Sequence, residues 1–181
     1  MRTDDTGVPG VSTDLLIYAD NLAAFGGRRV PCALGRSGIR QDKREGDGAT
    51  PVGRFPLRRV LYRADRLTGP ATQLPVTAIE RHDGWCDDPA DPAYNRPVRL
   101  PYPGRHEVMW RDDSLYDIVV VIGHNDTPPL PGAGSAVFLH LAAADYSPTE
   151  GCVALALPDM LAFLKDCDES SVIEIQAAAA P

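Results

Sequence analysis

Ser147-Pro-Thr-Glu-Gly-Cys-Val153 carries the strongest chemical signal in this chain, and it follows the apolar run Val137-Phe-Leu-His140. His140 precedes Cys152 by twelve positions. A cysteine attacks as a thiolate, and an adjacent imidazole or aligned backbone amides favour that form. Gly151 allows an unusual backbone φ beside the sulfur. The pattern predicts that Cys152 is a nucleophile and that His140 is its base.

Strand alternation supports this role for His140. In residues 136–141 the imidazole shares a face with Phe138, and Val137, Leu139 and Leu141 occupy the opposite face. One face of this strand is therefore expected to join the core while the other carries the imidazole.

His124 competes for the same role, because it follows the apolar segment 118–123 at a position where polar residues project towards a cleft. A third group normally orients a catalytic imidazole. The sequence leaves four candidates for that group: Ser147, Asp145, His124 and a backbone carbonyl.

The other three cysteines have settings that suit a buried thiol. Cys32 lies in an apolar run, Cys167 ends a predicted helix, and Cys86 precedes two aspartates that would raise its pKa. The four cysteines form no C-x-x-C pair, so a zinc ribbon or thioredoxin-type motif has no support.

Length and composition predict one domain. The chain has 181 residues, of which 44% are hydrophobic, enough for one sizeable core. We assign residues 12–176 to this domain, with flexible tails at 1–11 and 177–181. The sequence shows no secretory leader and no apolar run of about 20 residues that could span a bilayer.

The charge balance argues against nucleic acid as a partner. The net charge is −7, whereas phosphate binding needs a concentrated basic face. Several arginines lie close together in the sequence. We expect this arginine run to form a solvated strand face, and the alternative is a site for an acidic ligand. The run comprises Arg54, Arg58, Arg59, Arg63 and Arg66.

Seventeen prolines and sixteen glycines punctuate short apolar runs, which predicts a mainly β fold. Asp20-Asn21 and Gly26-Gly27 are expected to form hairpin turns. One helix is expected from Pro158 to about Lys165, with Met160, Leu161 and Leu164 on one face. Strands are predicted at 15–18, 22–25, 29–34, 55–62, 74–80, 116–122, 136–141 and 171–176.

The segment 81–111 is expected to be a long ordered loop, because it carries aromatic residues among several prolines. Such loops often form binding walls, although aromatic residues more often cover a core. Its aromatic residues are Trp85, Tyr94, Tyr102 and Trp110.

Three motifs in this order resemble the L,D-transpeptidase catalytic domain of the YkuD type: Thr50-Pro-Val-Gly-Arg-Phe55, Phe138-Leu-His140 and Thr149-Glu-Gly-Cys-Val153. Each motif alone is weak, but their order is specific, and the resemblance covers roughly residues 15–176. It implies a β-sandwich or mixed sheet with long loops and one short C-terminal helix. It also implies no cofactor and a location in the cell envelope or periplasm.

The resemblance implies a transpeptidase of cell-wall biogenesis and cell shape. Cys152 would attack the carbonyl at the L-centre of a peptidoglycan stem peptide and form a thioester, which an acceptor amine resolves. His140 would carry the proton, and the amides of Gly151 and Cys152 would face the oxyanion. His124, Thr149 and Trp85 are further candidates for substrate binding.

The chain departs from the family pattern at two points. Ala154 replaces an arginine two positions after the cysteine, and the interval between His140 and Cys152 is short. We expect Arg81 or Arg96 to supply the missing cation.

Other functions stay open. The same site could hydrolyse stem peptides as an L,D-carboxypeptidase or amidase. Alternatively, His124, Asp126, His140 and Cys152 could bind zinc in a peptidase, although their spacing matches no known zinc motif. An inactive wall-binding module is the remaining possibility. The oligomeric state is not predicted.

Overall fold

A computed structural model describes residues 14–177 of the chain. The predicted tails, 1–11 and 177–181, lie outside this range apart from residue 177. Within it the chain forms one helix, α1 (Leu157–Leu164), and the following strands: β1 (Leu15–Tyr18), β2 (Leu22–Phe25), β3 (Arg28–Ala33), β4 (Ile39–Arg40), β5 (Thr50–Pro51), β6 (Gly53–Tyr62), β7 (Val76–Ala78), β8 (Asp83–Cys86), β9 (Pro97–Arg99), β10 (His106–Val108), β11 (Ile118–Ile122), β12 (Phe138–Leu141), β13 (Val153–Leu155) and β14 (Val172–Ile175).

The main sheet is mixed and closes on itself. Its strands follow the order β11-β12-β13-β3-β2-β1-β14-β6-β7, and β6 also pairs with β11. The ten-residue β6 makes this closure possible, because residues 53–56 pair with β14 while residues 57–62 pair with β11. The pairing of β11 with β6 shifts its register between Val121 and Ile122, as it does at a β-bulge. The predicted mainly β fold with a mixed sheet and one short C-terminal helix is confirmed.

The hairpins at the start of the chain form where they were predicted. Asn21 has a φ of 61°, and Gly26 and Gly27 have φ values of 51° and 76°. In the second turn, positive φ at both central glycines gives a twist that matches the flanking strands, and in the first turn Asn21 alone has a positive φ, which asparagine tolerates well. The two turns join β1 to β2 and β2 to β3.

Strands β11 and β12 are buried on both faces. Ile118 and Val120 point into the main core, whereas Val119 and Val121 belong to a second cluster on the outer face of the sheet. Side chains alternate along a strand, so five consecutive apolar residues serve both clusters. A second layer must therefore cover the outer face.

The segment 79–116 supplies that layer. It contains the small sheet β10-β8-β9, and Ile79, Trp85, Met109 and Tyr116 pack in the outer cluster with Phe138. The rings of Trp85 and Phe138 meet edge to face at 5.0 Å. Of the aromatic residues predicted for this segment, Trp85 and Trp110 thus help to cover the core.

Four of the five arginines in the run form ion pairs, and one of these four is buried. Arg58 pairs with Asp126 and Arg66 pairs with Asp117, each at 2.8 Å. Arg63 is only 3% exposed; its guanidinium bonds to Asp65 and stacks 3.7 Å from the Trp110 ring centre. The prediction of a solvated face is therefore wrong at Arg63, because the covering segment encloses it.

Helix α1 starts one residue before the predicted Pro158 and closes the main core. Met160, Phe163 and Leu164 are buried, and Phe163 meets Phe25 edge to face at 5.5 Å. Leu161, which was predicted on the buried face, is 38% exposed. Among the described residues no helix has the length and apolar character needed to cross a bilayer.

Replacing Phe163 with alanine should lower the free energy of unfolding by about 3–5 kcal/mol, because it removes a buried ring and leaves a cavity. Leu161→Ala on the same helix should change it by less than about 1 kcal/mol, because that side chain is part-exposed. Urea unfolding followed by circular dichroism measures both. Equal losses for the two variants would contradict the observed helix orientation.

Candidate active site

A cavity of about 530 Å³ opens on the outer face of the sheet, between β12, β13 and the covering segment. Both Cys152 and His140 line it. Their strands pair in parallel, with Leu139 opposite Val153 and His140 opposite Ala154. Because side chains two positions apart share a face, Cys152 and Ala154 lie on the same face as His140. The parallel pair therefore brings the predicted nucleophile and base to one surface.

Cys152 is held as a neutral thiol. Its Sγ accepts a hydrogen bond from the Phe138 amide and donates one to the Ala136 carbonyl, each at 3.3 Å. Burial, with a further contribution from the Glu107 carboxylate, raises the pKa of Cys152 to about 12. Among the described residues these bonds go to the backbone and not to His140.

His140 is also neutral. Its Nδ1 lies 2.8 Å from the Leu141 carbonyl, which makes Nδ1 the protonated nitrogen and leaves Nε2 as the acceptor. The ring packs edge to face on Tyr116 at 5.3 Å. Burial lowers the pKa of His140 to about 4. Of the four candidates for the orienting group, the structure shows the backbone carbonyl.

The loop before Cys152 is held by threonine hydroxyls. Thr149 Oγ1 donates to the Cys152 carbonyl at 2.7 Å and accepts from the Gly151 amide at 3.1 Å. Gly151 has a φ of +133°, and a Cβ there would lie 2.8 Å from the Ala49 carbonyl oxygen. Position 151 therefore requires glycine. The Gly151 amide would have to leave Thr149, or be shared, to face an oxyanion.

Asn95 joins the loops behind the thiol. Its Oδ1 accepts from the Trp85 indole at 2.9 Å and from the Ala136 amide at 3.1 Å. Its Nδ2 donates to the carbonyls of His124 and Asn125, at 3.1 and 2.7 Å. Ala136, whose carbonyl accepts from the thiol, has a φ of 48°, which non-glycine residues seldom adopt.

Four of the predicted substrate-binding residues do not line the cavity. Trp85 is buried behind Phe138, and His124 bonds through Nε2 to the Ala133 carbonyl at 3.1 Å. Arg81 stacks on Trp110 with its guanidinium 4.6 Å from the ring centre, and Arg96 is exposed elsewhere. Thr149 does line the cavity.

The cavity wall carries many charged residues that the sequence analysis did not identify. Tyr116 donates from its hydroxyl to Glu107, whose pKa burial raises. The sequence gives no sign that these residues line a cavity, because they come from distant segments and belong to no motif. The charged residues of the wall are Lys43, Glu45, Asp87, Arg105, Glu107, Arg111 and Glu150.

The zinc hypothesis finds no support in the geometry. Within residues 14–177, no group of three or more His, Cys, Asp or Glu side chains is arranged to hold a metal ion. Asp126 pairs with Arg58, and the ring nitrogens named above bond to backbone carbonyls.

The chain matches one family model over almost its whole length. Residues 12–175 match the sequence model of YkuD, the L,D-transpeptidase catalytic domain. The chain belongs to the YkuD family. No curated protein sequence matches the chain significantly.

Two solved structures resemble this YkuD domain. Both are of the helical cell shape determining protein Pgp2 from Campylobacter jejuni, one of them with the K307A substitution. The identities are 15% and 16%, with a TM-score of 0.39 for each. The matches cover 92% of this chain and 48% and 47% of the Pgp2 chains, so this chain spans about half their length.

Asn95→Asp should lower the free energy of unfolding by about 3 kcal/mol or more. The substitution keeps the shape but sets a carboxylate oxygen against two carbonyls that now accept from Nδ2. Thermal and urea unfolding measure the loss. Asp91→Asn, in the same segment but part-exposed, is the control, and an equal loss there would argue against the role of Asn95.

Stability should fall as the pH drops from about 6.5 to about 4. The unfolded state takes up a proton on His140 near pH 6.5, whereas the folded state does so near pH 4, so protons favour unfolding across this window. The shift corresponds to about 3 kcal/mol. Urea unfolding at several pH values should show that His140→Gln loses this part of the slope, while His82→Gln, at an exposed position, keeps it. An unchanged slope in His140→Gln would contradict the buried neutral imidazole.

Proposed function

We propose that this protein is a peptidoglycan L,D-transpeptidase of the cell envelope that uses Cys152 as its nucleophile. One observation carries the proposal: Cys152 and His140 share one face of the parallel pair β12–β13 and line one cavity. The membership of the YkuD family supports the choice of substrate.

In the first step the Cys152 sulfur attacks the carbonyl at the L-centre of a stem peptide. The S–C bond forms and the C–N bond to the following D-amino acid breaks, which leaves a thioester. The thiol proton passes to Nε2 of His140 and from there to the leaving amine. An acceptor amine then attacks the thioester, loses its proton to His140 and releases the thiol.

Cys152 and His140 are both neutral before substrate binds, and this determines when the proton must move. With the pKa of the thiol raised to about 12 and that of the imidazole lowered to about 4, the pair is not an ion pair before substrate binds. Proton transfer must therefore accompany attack, and the sulfur must turn from the Ala136 carbonyl towards His140. The amides of Gly151 and Cys152 are the proposed donors to the oxyanion.

Hydrolysis by the same site is the second candidate, and the charged cavity wall favours it. The seven charged side chains of the wall offer hydrogen-bonding groups to a water molecule, which would compete with an amine for the thioester. An L,D-carboxypeptidase or amidase would use the same first step and differ only in the second.

Incubation with disaccharide tetrapeptide muropeptides, followed by mass spectrometry of the products, tests the proposal. The wild type should form cross-linked dimers, and Cys152→Ala should lose at least about a thousandfold in rate, because no other group replaces the nucleophile. His140→Gln should lose about a hundredfold or more. Cys32→Ala, which removes another buried thiol, should remain active.

Trimmed monomers without dimers would select the hydrolase instead. Full activity of Cys152→Ala would exclude both candidates, because each requires the thioester. A mass increase on the intact wild type during turnover, absent from Cys152→Ala, should mark the acyl-enzyme.

A further inference from the structure

Lys43 is a buried cation in the cavity wall. Its side chain is 7% exposed, and its ammonium donates to the Asp47 carboxylate and to the Arg44 carbonyl, the latter at 3.0 Å. Asp47 is itself fixed by the amides of Arg44 and Ala49, each at 2.8 Å. The loop therefore holds the ammonium in one position, because its partner cannot move freely.

Two glycines from other loops make room for this side chain. A Cβ at Gly134 would lie 3.0 Å from Lys43 Cε, and a Cβ at Gly151 would lie 3.4 Å from Nζ. Their φ values are +97° and +133°. Since Gly151 directly precedes Cys152, the ammonium lies against the loop that carries the thiol.

The charges that face Cys152 oppose one another. Glu107 disfavours a negative charge on the sulfur, while Tyr116 and His140 are neutral neighbours in the same cavity. Lys43 is the cation among these four groups. An ammonium has three N–H donors, and Asp47 and Arg44 use two of them.

We propose that Lys43 is a positioning residue of the active site, whose clamped ammonium stabilises the negative charge that develops at Cys152 during attack. The inference rests on the proposed function in taking Cys152 as the nucleophile. It requires no particular substrate, because the charge acts on the sulfur itself. Interactions of this kind are strong where water is excluded.

Alkylation of Cys152 by iodoacetamide tests the effect without substrate. Rates are measured from pH 7 to 9 by mass spectrometry of the peptide that contains Cys152, which separates it from the other three thiols. Lys43→Met keeps the volume and removes the charge, and should slow alkylation about three- to tenfold at each pH. Lys43→Arg keeps a positive charge and should slow alkylation less than Lys43→Met does.

Arg44→Gln is the matched control, because it removes one positive charge from the next, exposed side chain, and its rate should not change. A wild-type rate for folded Lys43→Met would overturn the proposal, as would an equal loss in Arg44→Gln. If Lys43→Met does not fold, Asp47→Asn is measured instead. This variant removes the carboxylate that holds the Lys43 ammonium but keeps the ammonium itself. An unchanged alkylation rate in Asp47→Asn would overturn the proposal. Absence of muropeptide turnover would instead count against the proposed function alone.

Discussion

The candidate site depends on the four hydrogen bonds of one buried amide, that of Asn95. Both of its polar atoms are used twice, which ties the Trp85 indole, the Ala136 amide and the carbonyls of His124 and Asn125 to one point. A buried amide that is fully paired is rigid, because each lost bond would leave an unpaired polar group. The carbonyl of Ala136 then meets the Cys152 thiol from a backbone conformation that Asn95 helps to hold. These hydrogen bonds therefore hold the covering segment, the loop before β12 and Cys152 together.

The same burial that orders the site also suppresses its reactivity at rest. Desolvation disfavours both the thiolate and the imidazolium, so Cys152 and His140 are neutral and bonded to the backbone. In the proposed mechanism, a substrate that enters the cavity brings the carbonyl that the sulfur attacks. Such a pair would be activated only when substrate is bound, and it would be protected from side reactions in the absence of substrate. This is why a charge fixed nearby, such as the ammonium of Lys43, matters more here than at an exposed thiol.

Local patterns in the sequence predicted much of the fold and little of the cavity wall. The hairpins, the long strands and α1 follow from turn residues and apolar runs, and alternation in 136–141 correctly placed His140 and Phe138 on the outer face. The observed β12 begins at Phe138 because Ala136 has a positive φ, which no pattern signals. Short strands such as β13 and β4 form because neighbouring strands pair with them. They have too few residues to show the alternation of apolar and polar side chains that predicts a strand. Residues such as Glu107 and Lys43 reach the cavity only through tertiary packing, and the predicted cations Arg81 and Arg96 do not line it.

Ala154 leaves β13 without a cation beside the imidazole. It lies opposite His140 in the parallel pair and is nearly fully buried, so an arginine at this position would project from a rigid strand beside the imidazole. Here the cations of the wall come from loops, and each has an acidic partner: Lys43 with Asp47, Arg105 with Asp87 and Arg111 with Asp113. A paired cation attracts an anion outside the cavity weakly, because its partner cancels most of its field at that distance, so it acts mainly on groups that lie beside it. Recognition of substrate in this cavity must therefore rest on direct contacts, and loop geometry sets those contacts.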